Sequence, residues 1–174
     1  MTKEQFLKDI NPWGSHRRLL WEALQATKES KSPILEMGAG ENSTPFIREY
    51  CLYQLRSSVH YDSNKEWAQK MNAIHCPDWD YMTWFYGKRY SVVLVDESPG
   101  EHRKTTLQMF ASYPVHFEIL IVHDSEPIGW NASDYRVRSL FSKFKYVKDD
   151  EAKEKGQPWA TALSNTIDVT KWQL

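Results

Sequence analysis

Four short stretches of this sequence carry residues that can do chemistry together: Glu36-Met37-Gly38-Ala39-Gly40, Tyr61-Asp62-Ser63, Val95-Asp96-Glu97 and Val122-His123-Asp124. In the first, Glu-x-Gly-x-Gly lets the backbone approach a ligand where a side chain would collide, and the helix start that follows offers N–H groups without intrahelical partners. Asp62 is placed to accept hydrogen bonds from two vicinal ribose hydroxyls, so the pair describes a nucleoside site. A glycine pair alone also serves any sharp strand-to-helix turn. A dinucleotide reader prefers G-x-G-x-x-G, with a third glycine for close helix contact and the helix end facing a pyrophosphate. Here Ser43 replaces the third glycine and Glu41 stands where phosphate would come. Both changes disfavour dinucleotides, and Glu36 with Glu41 favours a ligand with a positive centre.

The other two tips offer acid–base chemistry. His123 has an ordinary pKa of ~6.5 and, with Asp124, is a candidate proton acceptor, the alternative being a histidine that only caps its strand end. Asp96 and Asp124 end strands expected to be neighbours, and two carboxylates there could bind Mg2+ through oxygen; no metal site is assigned. His102, Arg103 and Lys104 offer either an anion site or a solvated helix start. Trp13 and His16, in a Pro-Trp-Gly-Ser-His turn, could fold over the mouth of the site, whereas His60, His75 and His116 share no spacing and read as structural or solvent-facing. Trp79, Tyr81, Trp84, Phe85 and Tyr86 could stack on a ring or attract a cation, or simply pack.

These residues need a scaffold that brings strand ends together. A short helix is expected over 2–10, a break at Asn11-Pro12-Trp13-Gly14, and a helix capped by Ser15 running to about residue 30. Strands follow at 33–37, 57–61, 73–76, 91–95 and 117–122, alternating with helices that open at Ser43-Thr44-Pro45, at Ser63-Asn64 and at about Glu101. Residues 80–90 hold at most a helical turn. A helix over 133–144, a strand near 145–147, a mobile turn over 148–157 and a last strand within 159–169 complete the order. Ser91-Val92-Val93-Leu94-Val95 is apolar without alternation, which suits a central parallel strand buried on both faces. The expectation is one α/β domain over 1–174, with N-terminal helices in 1–30 and a core in 33–169. That core is a Rossmann-like three-layer sandwich around a mostly parallel seven-stranded sheet with an antiparallel C-terminal hairpin, and its ligands lie outside the carboxyl ends of the strands.

Composition agrees with this and narrows the function. A length of 174 residues fits one domain, and 41% hydrophobic with 14% aromatic residues argues against disorder. Lys+Arg 22 against Asp+Glu 23 gives a net charge of -1, which removes the simple electrostatic case for a nucleic-acid-coating protein. Cys51 and Cys76 lack metal-ligand spacing, the start of the chain lacks a signal pattern, and no apolar run approaches the ~20 residues of a membrane span. A cytoplasmic protein with reduced thiols is expected, with no membrane segment, no nucleic-acid partner supported, and its oligomeric state open.

The ordered series PILEMGAGENSTPFI, VHYDSNKEW, SVVLVDESPGEHR and ILIVHDSE, closed by PWATALSN, resembles the class I S-adenosylmethionine-dependent methyltransferases, in particular their small methyltransferase-like members. The resemblance implies S-adenosyl-L-methionine as cofactor and methyl transfer to a small-molecule acceptor at oxygen or nitrogen. By it, Glu36, Gly38, Ala39 and Gly40 would line the amino-acid end of the cofactor, and Asp62 with Ser63 its ribose. Asp78 and Trp79 would flank the adenine, and Asp96 would sit beside the methionine moiety; His123, Asp124 and Asp96 are the catalytic candidates. The sequence departs from the family at Tyr113-Pro114-Val115-His116-Phe117, where many members turn on Gly-Gly, and in a short linker after the third strand. Metal-dependent catechol-type members use an Asp-Asn pair after the fifth strand, where Ser125 stands here. Two rival readings are a cofactor-binding protein that does not catalyse and a nicotinamide oxidoreductase.

Overall fold

A computed structural model of the chain describes residues 1–8, 14–77, 85, 87–112, 116–130, 135–152 and 156–174. Seven strands form one sheet: β1 (Ile34–Met37), β2 (Ser58–Asp62), β3 (Ile74–His75), β4 (Arg89–Val95), β5 (His116–His123), β6 (Tyr146–Asp150) and β7 (Ala160–Ser164), in the order β3-β2-β1-β4-β5-β7-β6. The pairs among β1 to β5 are parallel, while β7 runs antiparallel to both β5 and β6. This is the expected Rossmann-like sandwich. From β1 the chain returns to β2 on one side while β4 lies on the other, so the switch in strand order falls between β1 and β4.

Alternation along the strands sorts the core into two layers. Leu35, Met37, Val93, Val95, Leu120 and Val122 pack on one face with Leu107 and Phe110 of α5 (His102–Ser112). Ile34, Val92, Leu94, Ile119 and Ile121 pack on the other with Leu19, Leu20 and Leu24 of α2 (Arg17–Ala26) and Ile47 of α3 (Thr44–Gln54). Register then fixes the tips. Met37 pairs with both Tyr61 and Val95, and Val95 with Val122, so Gly38, Asp62, Asp96 and His123 emerge at one edge of the sheet.

Several expectations need correction. The first helix, α1 (Lys3–Phe6), is shorter than expected and is held by a capping box between Thr2 and Gln5. The residue that caps α2 is His16, without a side-chain bond, because the Ser15 hydroxyl is turned toward His123 instead. By contrast α4 (Lys65–Lys70) starts as expected, with Asn64 accepting the Trp67 N–H. The helix expected over 133–144 is a 3-10 helix over Val137–Lys143, and Arg136 before it has φ 51, a left-handed conformation through which a helix does not propagate. Residues 148–150, expected in a turn, belong to β6: Arg18 holds Asp150 and Arg138 holds Asp149, so the charges are matched within the sheet. The last strand ends at Ser164, whose hydroxyl accepts the N–H groups of Thr166 and Ile167 and starts a turn. Among the described residues no helix is long and apolar enough to cross a membrane. Cys51 and Cys76 are buried and form no disulfide.

Candidate active site at the carboxyl edge of the sheet

The β1–β2 end of the edge is built on Glu36. It is fully buried, and its Oε2 accepts from His60 Nδ1 (2.5 Å) and from the Thr44 hydroxyl (2.6 Å). Thr44 Oγ1 in turn accepts the Gly40 N–H at 2.9 Å, so the glycine turn is tied to both strands through one carboxylate. Glu36 Oε1 has no hydrogen-bond partner among the described residues. Ala39 is held too, its carbonyl accepting from the Trp67 indole at 2.6 Å. Asp62, 7% exposed, accepts the Asn64 N–H at 2.8 Å. Burial raises its pKa, opposed by the amides of Asn64 and Ala39 and assisted by the negative charges of Glu36 and Asp96.

The glycines do different work from that expected. Gly38 has φ +93, and a Cβ there would fall on the Asp96 carbonyl and within 2.6 Å of the Glu97 nitrogen. Its missing side chain therefore makes room for the neighbouring strand end rather than for a ligand. At Gly40 a Cβ would meet only Ser43 Oγ at 3.6 Å, so the open side of the turn is there. The chain leaving β4 passes the end of β1 to reach the β2 tip, where the Ser63 hydroxyl donates to the Ser98 carbonyl at 2.6 Å. Glu41 is exposed and paired with Lys70 at 2.8 Å, which offsets the negative charge expected from it. The remaining amino-acid-end and ribose candidates stand around this turn. Asp78 and Trp79 lie outside the described residues, as do Trp13, Tyr81, Trp84 and Tyr86. Phe85 is a core residue, edge-on to Tyr61.

At the β4–β5 end, four charged side chains lock together. Arg103, nearly buried, donates Nη2 to Asp96 Oδ1 at 2.9 Å and Nη1 to Asp124 Oδ2. His123 Nδ1 lies 2.9 Å from Asp96 Oδ1 and 3.5 Å from Asp124 Oδ1, and its Nε2 is 3.1 Å from the Ser15 hydroxyl. Burial would lower the His123 pKa, but the two carboxylates overcome it and raise the value. Burial alone would raise that of Asp96, and His123 and Arg103 reverse it, holding the carboxylate well below its ordinary range. His123 is thus engaged on both ring nitrogens, Nδ1 by Asp96 and Nε2 by Ser15, and its charged form is favoured, which weighs against the expected role of proton acceptor. Arg103 fits neither alternative, an anion site or a solvated helix start: it is buried and committed to Asp96 and Asp124.

Of the neighbours of this cluster, sequence reasoning placed His16 near the site but missed its contact with His123, and assigned no role to Glu97. His16 packs edge-on against His123, is 1% exposed, and has no partner on either ring nitrogen among the described residues. Burial lowers its pKa to about 3, and the charge on His123 acts the same way. Glu97, fully buried, has a pKa raised to about 7 by burial against the Thr106 hydroxyl that donates to it at 2.5 Å. His60, expected to be structural or solvent-facing, is the buried support of Glu36. A cavity of about 200 Å3 lined by Lys104, Glu126, Ile128, Arg136, Arg138 and Ser139 opens beside the loop that follows Asp124.

No protein-family model and no curated protein matches the chain. Solved structures do match. Cofactor-bound Rv0187 from MTB is 14% identical over 96% of this chain and 82% of its own, with a TM-score of 0.58. A SAM dependent methyltransferase from Archaeoglobus fulgidus is 10% identical over 93% of this chain and 97% of its own, with a TM-score of 0.57. The N-terminal domain of human METTL16 is 9% identical over 86% of this chain and 69% of its own, with a TM-score of 0.58. At such identities the likeness is one of architecture: the chain has the Rossmann-like fold of the class I S-adenosylmethionine-dependent methyltransferases.

Proposed function

We propose that this chain binds S-adenosylmethionine at the β1–β2 end of the sheet edge and transfers its methyl group to a small acceptor at nitrogen or oxygen. The observation that carries the reading is a pair of acceptor groups around one glycine turn: Glu36, with Oε1 lacking a donor among the described residues, and Asp62 at the next strand tip. A ligand bearing an ammonium group and two ribose hydroxyls supplies the donors such carboxylates need. Asp62 and Ser63 would hold the ribose, Glu36 and the turn Gly38-Ala39-Gly40 the amino-acid end, and Asp78 and Trp79 the adenine. Bound there, the cofactor supplies an already activated methyl group on a sulfonium.

The work left to the protein is alignment, which lowers the barrier by removing relative motion of the reactants. Arg103 and His123 serve it by keeping Asp96 ionised and fixed at the β4 tip, beside the proposed methionine end. The cavity beyond Asp124 supports a small acceptor, since its volume is below the ~300 Å3 at which drug-sized ligand sites begin. A cytoplasmic setting belongs to the same reading, supported by two cysteines that form no disulfide.

Calorimetry with S-adenosylhomocysteine tests the proposal: binding that weakens in Asp62→Ala supports it, and absence of heat on folded protein overturns it. A second reading, cofactor binding without transfer, is favoured by His123, whose engaged nitrogens leave it no role as base. Labelled donor offered with a panel of amine and hydroxyl acceptors separates the two, because only the first yields labelled product.

A further inference from the structure

Methyl transfer leaves the inner side of the β4–β5 tip unexplained. His16 from the entry to α2, Asp96 from β4 and His123 from β5 bring one ligand atom each to within 4.8 Å of one another. His16 is 1% exposed, with neither ring nitrogen hydrogen-bonded among the described residues, although buried polar groups in native proteins rarely lack a partner and an ion is one of the usual reasons. We propose that His16, Asp96 and His123 form a binding site for one divalent transition-metal ion of the zinc class.

The geometry suits such an ion. Two ligand atoms on a tetrahedral centre with bonds of about 2.1 Å stand about 3.4 Å apart; His123 Nδ1 and Asp96 Oδ1 are 2.9 Å apart and need open only slightly as the metal takes the place of the proton they share. The three ligand atoms lie within 4.8 Å of one another, so His16 closes inward by up to about 1.4 Å to complete a tetrahedral arrangement, and no hydrogen bond among the described residues holds its ring where it is. Support from outside is already present. Ser15 Oγ, 3.1 Å from His123 Nε2, can take that N–H and leave Nδ1 as the ligand atom, and Arg103 orients Asp96. Asp96 and Asp124 against Arg103 leave one negative charge to meet the cation.

Two imidazoles and one carboxylate select zinc, cobalt or iron over Mg2+ or Ca2+, which prefer oxygen. The Mg2+ arrangement that Asp96 and Asp124 could offer is a different one: Asp124 is engaged by Arg103, and Ser125 is buried against Thr161 at 2.7 Å. Three protein ligands leave a fourth position open.

The test uses the full chain, stripped with a chelator and titrated with Zn2+ by calorimetry and with Co2+ by visible absorbance. One ion per chain is expected, with no heat from Mg2+. His16→Ala and His123→Ala should each weaken binding by about 100-fold or more and Ser15→Ala by about 10-fold, while the surface variant His116→Ala leaves it unchanged. His16→Gln, which keeps a polar side chain of similar bulk, serves alongside His16→Ala, and circular dichroism confirms the fold of each. No Co2+ spectrum, or an affinity indifferent to His16→Gln and Ser15→Ala, overturns the site. S-adenosylhomocysteine titrated into the same samples keeps the two proposals apart. Nucleoside bound without metal overturns only the metal site, and metal bound without nucleoside overturns only the transfer reading.

Discussion

His16 and His123 meet edge to face, their ring centroids 4.8 Å apart and their planes at 85°, and their surroundings shift their pKa values in opposite directions. Burial lowers the His16 pKa to about 3; His123 is equally buried but lies beside two carboxylates, which raise its value instead. His123 and Arg103 thus stand against Asp96 and Asp124, beside a His16 ring whose neutral form burial favours. Among the described residues the β4–β5 tip is cross-linked through Arg103 and His123, with His16 the one side chain of the group left without any hydrogen bond, while the β1–β2 tip keeps an acceptor for a ligand at Glu36 Oε1.

Asp62 should show a conflict between stability and binding. Its folded pKa is raised, chiefly by burial, so its favourable contribution is complete below its unfolded pKa and is lost as pH rises through the folded value. At neutral pH the charged carboxylate costs stability. Asp62→Asn keeps an acceptor for the Asn64 amide and should raise Tm by about 1–3 °C while weakening S-adenosylhomocysteine. Scanning calorimetry with and without the nucleoside reads both, and a lowered Tm would show that the charge is stabilising.

Glu97 sets a pH dependence of its own. With a folded pKa of about 7 against an ordinary 4.5, it contributes fully below about pH 4.5 and loses that contribution as pH rises through 7. The loss at pH 8 is on the order of 3 kcal/mol. Glu97→Gln should therefore be more stable than the parent at pH 8 and nearly equal to it at pH 5, as read by urea unfolding at the two pH values. A parallel offset at both would assign the effect to packing.

Removing Arg103 exposes what it holds apart. Arg103→Met removes a buried guanidinium and leaves Asp96 and Asp124, both only partly buried, with His123 alone between them; breaking a fully buried pair costs about 3–5 kcal/mol, and the partial exposure of the carboxylates places the loss toward or below the lower end. Arg103→Lys should recover part of this, since a single ammonium cannot bridge two carboxylates as a planar fork does. Guanidinium unfolding measures both, and a loss below about 1 kcal/mol would mean that solvent screens the pairs.

The two glycines should separate folding from binding. Gly38→Ala forces a Cβ onto the Asp96 carbonyl at a positive φ and should lower Tm sharply. Gly40→Ala has room for its methyl and should fold normally while weakening the nucleoside. Thermal unfolding with and without S-adenosylhomocysteine distinguishes them, and equal unfolding losses in both would overturn the assignment of the open side of the turn.

What was legible in the sequence is what local pattern encodes. The unbroken apolar run before Asp96 marks β4, and the alternation of strands with helices gives a parallel sheet whose tips carry Glu36, Asp62, Asp96 and His123. The partners of those residues were not legible, because they come from distant chain. Ser15 and His123 are 108 positions apart, and His60 reaches Glu36 across 24. Ser15 looks like a helix cap by every local rule, yet the histidine it meets decides its rotamer. Lys148-Asp149-Asp150 reads as a turn because charge is unfavourable in an isolated strand, and Arg138 at Asp149 together with Arg18, 132 positions from Asp150, makes it tolerable there.

That charged strand also governs how molecules of this protein meet one another. The sheet stops at β6 on one side and at the two-residue β3 on the other, and an incoming peptide would have to align against ionised side chains at the first and find almost no length to align against at the second. Such borders discourage edge-to-edge fibril growth, so a chain rich in buried Val, Ile and Leu can be concentrated without its sheets joining end on.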